Sequence, residues 1–420
     1  MNTPSPEMQT ESAMQLPQFR RYFAARICGS TAGQMQAVAI GWQVYEMTGS
    51  ALDLGIVGLC LFLPELTLAL ITGHVADHFD RRRVLALATC LDALCVSALL
   101  GLTLMGNRDT HWIFAVLVFT GVARAFQAPA SFALLPNLVK PHLFANAAAW
   151  ISSAWQSAAI AGPALGGFLY ILGPEITYGT CAALLLLSAF MVSTVQLVST
   201  TLRRGVMTWQ SMLAGVHFIR RHPLVLGATS LDLFAVLLGG ATALLPIYAK
   251  DILDVGPSGL GILRSAPAVG ALVAAVIMLR WPIRRNTGRA LLYWVAVFGL
   301  ATIGFGISTN LWLSLAMLAL LGGADMVSVI IRRVLIQVAT PDEFRGRVSA
   351  VESVFIGASN ELGEFRAGVM AALIGTVPAV VFGGIGTVLV VGLWTKFFPE
   401  LRDVDRLESA APGYESGRTA

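Results

Sequence analysis

The sequence predicts an all-α membrane protein with twelve transmembrane helices in two six-helix halves, and three observations support this prediction. Hydrophobic residues make up 56% of the 420 residues and charged residues only 12%, whereas soluble domains carry about 25% charged residues. Twelve apolar runs have the length of a spanning helix, and one loop sequence recurs in both halves. This composition excludes a soluble globular domain and a disordered chain.

The apolar runs define the predicted helices. A spanning helix requires about 20 mostly apolar residues, and short turns rich in Gly, Pro, Ser and Asn separate such runs along the chain. The runs lie at approximately 22–46, 51–76, 84–105, 111–130, 144–171, 174–197, 224–249, 257–279, 289–307, 310–331, 347–374 and 377–397.

The loop after the fourth run resembles the loop after the tenth run. Leu134–Ala147 aligns with Val334–Arg347, and the alignment matches Pro141 to Pro341. Two parallel six-helix halves, related by an axis along the membrane normal, are typical of transporters. The predicted segments are a tail at 1–18, the N-terminal half at 19–198, a linker at 199–222, the C-terminal half at 223–398 and a tail at 399–420.

Basic residues are concentrated on one side of the predicted bundle. The loops of the opposite side hold only Arg108 and Lys250. By the positive-inside rule, both termini are therefore predicted to be cytoplasmic. The segments assigned to the cytoplasm hold Arg20–Arg21, Arg81–Arg83, Lys140, Arg203–Arg204, Arg220–Arg221, Arg284–Arg285, Arg332–Arg333, Arg345 and Arg347.

The linker between the halves contains a helical pattern of apolar side chains. Trp209, Met212, Leu213, Val216 and Ile219 recur at i, i+3, i+4, i+7 and i+10, which predicts an amphipathic helix. Two placements remain open. The helix lies on the inner face of the membrane, or it packs on the cytoplasmic ends of the bundle.

The loop after the second run carries a motif, GHVADHFDRRR, that begins at Gly73. Gly73 permits close approach of a neighbouring helix, and Asp77 has the position of a helix cap that pairs with Arg81. The motif resembles G-x-x-x-D-R/K-x-G-R/K-R/K of the major facilitator superfamily. The resemblance implies a cytoplasmic conformational latch made by Gly73, Asp77, Arg81 and Arg82. In the alternative, the arginines only keep the loop inside, which leaves Asp77 without a role.

Two further motifs resemble the same superfamily. Arg124-Ala125-Phe126-Gln127-Ala128 is similar to its R-x-x-Q-G sequence, and GPALGG in the fifth run is similar to the core of its antiporter motif. Small residues allow helices to pack closely. The predicted helix-packing motif consists of Gly162, Pro163, Gly166 and Gly167.

Longer stretches resemble the branch of the superfamily that contains bacterial drug exporters and the enterobactin exporter. The stretches LPQFRRYFAARICGSTAGQ, YEMTGSALDLGIVG, ADHFDRRR, TPDEFRGRVSAV and IGASNELGEF carry this likeness, which extends over 17–400. The resemblance implies proton-antiport efflux of small amphiphilic molecules or drugs across the bacterial inner membrane. A dedicated exporter of an enterobactin-like siderophore is the alternative.

Ionisable residues inside the predicted spans are the candidates for the transport pathway. A charge at the centre of a bilayer costs about 2.5–3.5 kcal/mol, so each should face a cavity or a partner. Acidic side chains also suit a proton relay. The residues are Glu65, Asp92, Arg124, Asp232, Arg264, Asp325, Glu361, Glu364 and Arg366.

Glu361 and Glu364 are the leading candidates for proton binding. Their spacing of three places them about 60° apart on one helix face, and two carboxylates in one dry site resist double ionisation. Arg366 lies about 160° from Glu364 on the same helix. It therefore needs a partner from another helix, for which Asp325 is a candidate.

Five further residues are candidates for the proton or substrate pathway. Asp232 and Asp92 serve either transport or a structural ion pair. Glu65 follows a proline, and such helix breaks often line cavities. Arg124 balances Asp92 or Glu65, and the resemblance assigns it, with Gln127, a role in coupling.

The sequence lacks the motifs that are typical of several other classes of function. There is no phosphate-binding loop, catalytic triad, metal-ligand spacing or nucleic-acid-binding surface. We therefore expect no catalytic residue, metal or cofactor, and a monomer whose partners are a small-molecule substrate, protons and lipid. A membrane-embedded enzyme and a non-transporting sensor remain the alternatives outside transport.

Overall fold

The computed structural model describes residues 12–197 and 209–406, without the side chains of Leu70, His74, Ala76, Asp77 and Trp209–Met212. Over these residues the chain forms helices and turns and no β-strand, which confirms the all-α fold. The α-helices are α1 (Pro17–Thr48), α2 (Ala51–His78), α3 (Arg81–Leu104), α4 (Thr110–Leu134), α5 (Phe144–Ile171), α6 (Pro174–Ser193), α7 (Trp209–Arg221), α8 (Pro223–Gly239), α9 (Leu245–Ile247), α10 (Gly256–Arg280), α11 (Thr287–Gly306), α12 (Leu311–Ala339), α13 (Asp342–Ile374), α14 (Thr376–Phe397) and α15 (Pro399–Arg402).

Twelve long helices of the described chain correspond to the twelve predicted runs. Nine of them are apolar and long enough to cross a membrane by length and composition. The other three are α1, α5 and α13; α1 and α13 carry several charged residues, and α5 is rich in Ala, Gly and Ser. Because charged side chains are costly in lipid, those of α1 and α13 are expected to face a protein interior or the membrane surface.

Contacts divide the described chain into two units. The N-terminal unit contains residues 12–43 and 60–197, and the C-terminal unit contains residues 44–59 and 209–406. The end of α1 and the start of α2 therefore group with the C-terminal unit, although the sequence prediction placed them in the N-terminal half. Each unit has its own buried apolar cluster.

In the N-terminal unit, α3 packs against α4 and α6, and α5 crosses α1. A Cβ on Gly162 would lie 2.6 Å from Gln34 Cβ, and one on Gly166 would lie 2.8 Å from Met35 Cα. Pro163 and Gly167 of the same motif are buried as well. Small residues therefore permit the two helices to meet at backbone distance.

In the C-terminal unit, α12 packs against α10 and α11, and α8 packs against α13 and α14. Helix α7 lies on α13 and α8. Its Phe218 and Ile219 belong to the buried cluster, and a Cβ on Gly215 would lie 2.8 Å from the Arg347 carbonyl oxygen. Of the two placements left open for the linker helix, the described residues show packing on the helix ends of this unit.

The seventh predicted run, 224–249, is not one continuous helix. Helix α8 ends at Gly239, and a 3-10 turn (Thr242–Leu244), α9 and a π-turn (Tyr248–Ile252) follow. Gly240 adopts φ −60° and ψ 108°, outside the helical region. Two adjacent glycines stabilise a helix poorly, so the chain breaks there and frees the last carbonyl groups of α8.

Candidate functional site

Glu361 and Glu364 of α13 face the start of α2 within the C-terminal unit. A Cβ on Gly58 would lie 3.6 Å from Glu361 Oε2 and 3.6 Å from Glu364 Oε2. The two carboxylates therefore converge on one small gap, as their spacing on the helix predicted. Thr242, just after the α8 break, donates a hydrogen bond from Oγ1 to Glu364 Oε1 at 2.8 Å.

A glycine crossing between α2 and α13 places Gly58 over this carboxylate pair. A Cβ on Gly368 would lie 2.8 Å from Gly55 Cα, and one on Gly55 would lie 3.3 Å from Gly368 Cα. Without side chains at these positions the two backbones touch. About one turn of α2 separates Gly55 from Gly58. The crossing at Gly55 therefore holds Gly58 against Glu361 and Glu364.

Arg366 caps the broken helix α8. Its Nη2 donates to the Leu238 carbonyl oxygen at 2.5 Å, and its Nη1 donates to Met370 Sδ at 3.0 Å. The last carbonyls of a helix lack intrahelical donors and carry partial negative charge. The expected pairing of Arg366 with Asp325 is therefore wrong, because the break in α8 offers a carbonyl oxygen directly beside the guanidinium.

Asp232 is part of a buried charge cluster. Arg332 Nη1 lies 2.5 Å from Asp232 Oδ2 and 3.9 Å from Glu352 Oε1. The exposed fractions of Asp232, Arg332 and Glu352 are 8%, 2% and 8%. The predicted run ended at residue 331, whereas α12 continues to Ala339 and holds Arg332 inside the unit.

A second polar cluster lies in the N-terminal unit. Gln127 Nε2 donates to Asp92 Oδ2 at 3.1 Å, and Arg124 Nη2 donates to Gln36 Oε1 at 3.1 Å. Arg124 also interacts electrostatically with Asp92 and with the exposed Glu65. The fold thus brings Asp92, Arg124 and Gln127 together, and glutamine amides make the hydrogen bonds to Asp92 and Arg124.

The motif after α2 is only partly described. Arg81 Nη1 donates to the Ala133 carbonyl oxygen at 3.0 Å and Arg82 Nη1 to the Val195 carbonyl oxygen at 3.0 Å, so both arginines bind carbonyls at helix ends. The side chain of Asp77, and with it the expected pairing with Arg81, lies outside the described residues. A Cβ on Gly73 would meet no described atom within 4 Å.

The sequence prediction missed three residues of these clusters. Thr242 is absent from the predicted site because the apolar run 224–249 predicts one helix, although the dipeptide Gly239-Gly240 is a breaker signal. Arg332 lies one residue beyond the predicted run 310–331, and Glu352 lies near the start of the run 347–374, close to Arg347. Their helical register relative to Asp232 depends on how α8, α12 and α13 pack.

A family model described as a transmembrane secretion effector matches residues 10–415. The chain belongs to this family of major facilitator superfamily transporters. This transmembrane secretion effector is a multi-pass membrane transporter, in agreement with the prediction from its sequence.

Relatives of this secretion effector include exporters of different cargo. It is 29% identical over 402 residues to the multidrug efflux pump Tap of Mycolicibacterium fortuitum. The alignment covers 91% of this chain and 96% of Tap. It is 25% identical over 393 residues to the enterobactin exporter EntS of Shigella boydii. This alignment covers 92% of this chain and 93% of EntS. Their identity is modest, and their names assign cargo to those proteins.

The fold is shared with solved transporter structures. The nucleoside transporter NupG superposes with a TM-score of 0.70 at 12% identity. The superposition covers 91% of this chain and 100% of NupG. At that identity the likeness shows the fold alone.

Proposed function

We propose that this transporter is a proton-coupled exporter of small amphiphilic molecules in the bacterial inner membrane. The likeness to a multidrug efflux pump supports export, and the distribution of arginines supports cytoplasmic termini. The proposed working unit is a monomer, since the six-plus-six arrangement of helices is complete in one chain.

The carboxylate pair of α13 is the observation that carries the proton coupling. Glu361 and Glu364 converge on the gap beside Gly58, and ionising both would bring two negative charges together. One proton on the pair removes that repulsion. A cationic substrate that enters against the pair removes it as well, so substrate and proton compete for one site.

The break in α8 connects the pair to a conformational change. Thr242 donates to Glu364, and the same break is capped by Arg366. Discontinuous helices often form the sites of secondary transporters. A change in the charge of Glu364 therefore changes a hydrogen bond at the point where α8 is interrupted.

We further propose that the N-terminal polar cluster of Asp92, Arg124 and Gln127, with Glu65, takes part in proton or substrate transport. Gly73, Asp77, Arg81 and Arg82 are proposed to form the cytoplasmic latch. Asp77→Asn should then slow export without preventing insertion of the protein. Export at the wild-type rate in this variant would remove the latch from the proposal.

Efflux measurements test the coupling. Ethidium and other fluorescent amphiphilic cations are added outside inverted membrane vesicles containing the wild-type protein, in which export moves the dye into the lumen, and the proton gradient is then collapsed with an uncoupler. We expect transport to stop on collapse and to lose its pH dependence in Glu361→Gln and Glu364→Gln. Glu343→Gln, an exposed residue in the first turn of α13, is the matched control. Transport that continues after collapse would refute coupling.

Siderophore export is the second candidate, because EntS is similar over 92% of the chain. The two candidates differ in cargo and share the proton site. A deletion strain grown under iron limitation is assayed for secreted catecholates and, separately, for sensitivity to toxic amphiphilic compounds. Loss of secretion with unchanged sensitivity favours the siderophore, and the reverse pattern favours drug efflux.

A further inference from the structure

A cavity of about 330 Å³ lies between α12 and α13 of the C-terminal unit, apart from the carboxylate pair. Glu361 is about two and a half helical turns further along α13 than Glu352, which lines the cavity. Both polar and apolar side chains line it. The polar lining residues include Arg333, Gln337, Thr340, Arg345, Glu352 and Ser353.

Two buried polar atoms on the cavity wall lack a hydrogen-bond partner among the described residues. They are Glu352 Oε1 and Thr340 Oγ1, on residues that are 8% and 1% exposed. Buried polar groups in proteins are almost always satisfied by protein or by ordered water. The cavity is large enough for several water molecules, and Glu352 lines it, so water can reach this side chain although Oε1 itself is shielded.

The charges around Glu352 favour one bound proton. Arg332 lies 2.5 Å from Asp232 but 3.9 Å from Glu352, so its charge is already balanced. The charged groups that act on Glu352 are Arg332 and Arg333 from α12 and Asp232 from α8. Asp325 of α12 adds a third acid beside Asp232. Full ionisation would therefore place three carboxylates against the buried Arg332 and the exposed Arg333.

From this cavity, its two unpartnered atoms and the shared arginine, we propose that Glu352 is a second proton-exchange site of the transport cycle. The proposal rests on the proton coupling proposed above. Protonated Glu352 leaves Arg332 with Asp232, which is the observed arrangement. On release, the Oε–H bond breaks and the proton passes to water in the cavity, and the new carboxylate attracts Arg332 away from Asp232.

The shared arginine gives this exchange a structural consequence. Asp232 belongs to α8 and Glu352 to α13, so movement of Arg332 between them changes how tightly α12 is tied to each helix. The interrupted helix α8 also contacts α13 at Gly240, where a Cβ would lie 3.3 Å from the Gly363 carbonyl carbon. Movement of Arg332 therefore links the charge of Glu352 to the α8 break, and Glu352 needs no contact with the substrate.

Infrared difference spectroscopy tests this inference without a substrate. The purified protein is reconstituted in phosphatidylglycerol–phosphatidylethanolamine vesicles, and spectra at low and high pH are subtracted. We expect a band from a protonated buried carboxyl that is lost in Glu352→Gln, displaced in Glu352→Asp and unchanged in Glu343→Gln. The aspartate variant keeps the test valid if the glutamine variant does not insert. A wild-type band in Glu352→Gln would overturn the proposal.

An efflux arm separates this inference from the proposed function. Glu352→Gln is expected to export the dye with a flattened pH profile, while Glu343→Gln retains the wild-type profile. A lost infrared band together with a wild-type pH profile would overturn the role of Glu352 in the cycle and leave coupling at Glu361 and Glu364 standing. Wild-type transport that survives collapse of the gradient would instead refute the proposed function.

Discussion

The guanidinium of Arg366 lies 2.5 Å from the carbonyl oxygen of Leu238, in the last turn of an interrupted helix. Arg81 and Arg82 make the same kind of contact with carbonyl oxygens of Ala133 and Val195. A helix end in an apolar environment has carbonyls without donors, and a cation there also balances the helix dipole. These arginines therefore stabilise helix ends rather than only neutralise acids.

Replacing Arg366 with Met tests its capping of α8. The change removes the donor to the Leu238 carbonyl and leaves a buried acceptor unsatisfied, which costs about 1–3 kcal/mol. We expect a lower thermal midpoint in detergent, measured by tryptophan fluorescence, and an intermediate value for Arg366→Lys. Arg285→Met, at an exposed position, is the control. Equal midpoints for both Met variants would contradict the cap.

The crossing of α2 and α13 should not tolerate a methyl group. A Cβ on Gly368 would lie 2.8 Å from Gly55 Cα, whereas one on Gly357 of the same helix meets no described atom within 4 Å. Gly368→Ala should therefore destabilise the protein and reduce export. Gly357→Ala should be neutral or stabilising by up to about 1 kcal/mol, as in exposed helices. The idea fails if the two variants show equal unfolding midpoints and equal dye efflux.

The α5 motif makes a parallel prediction in the N-terminal unit. A Cβ on Gly166 would lie 2.8 Å from Met35 Cα and 3.0 Å from its carbonyl oxygen, whereas Gly179 of α6 has open space around it. Gly166→Ala should lower the yield of folded protein in size-exclusion chromatography and Gly179→Ala should not. A Gly166→Ala variant with wild-type yield and thermal midpoint would show that α1 and α5 can separate at little cost.

The buried charge cluster should respond unequally to loss of each partner. Arg332→Gln leaves Asp232 and Glu352 without their buried cation, and breaking such a pair costs about 3–5 kcal/mol. Asp232→Asn should cost less, because Arg332 can turn to Glu352 only 3.9 Å away. Denaturant unfolding in mixed micelles measures both changes. The double variant should cost less than the sum of the two, and strict additivity would argue against the pairing.

The cap of α4 predicts a pH-dependent stability outside the membrane segments. The backbone N–H of His111 donates to Asp109 Oδ1 at 3.0 Å, and this bond together with the His111 side chain lowers the pKa of Asp109 from its ordinary value. A lowered pKa contributes stability that is complete above the unfolded value and is lost as pH falls through the folded value. The difference in thermal midpoint between the wild type and Asp109→Ala should therefore shrink below about pH 4. A difference that stays constant down to about pH 3 would exclude this contribution.

Much of the fold follows from local composition. Apolar length predicted the positions of the long helices, apart from the break in the seventh run, since a bilayer requires about 20 apolar residues per span. The spacing of Glu361 and Glu364 predicted their shared face. The amphipathic pattern likewise predicted α7, although not its partner. These features depend only on neighbours along the chain, so they can be read without tertiary contacts.

By itself, the sequence determined an all-helical transporter with two six-helix halves. It also determined which acidic residues must be shielded from lipid. The tertiary structure decided which partner each charge has. Arg366 binds a carbonyl because two glycines interrupt α8. Arg332 binds Asp232 because α12 continues past residue 331, where the predicted run ended, to Ala339. Partners are set by helix rotation and crossing distance, which depend on side chains far apart in the chain, and no local pattern encodes them.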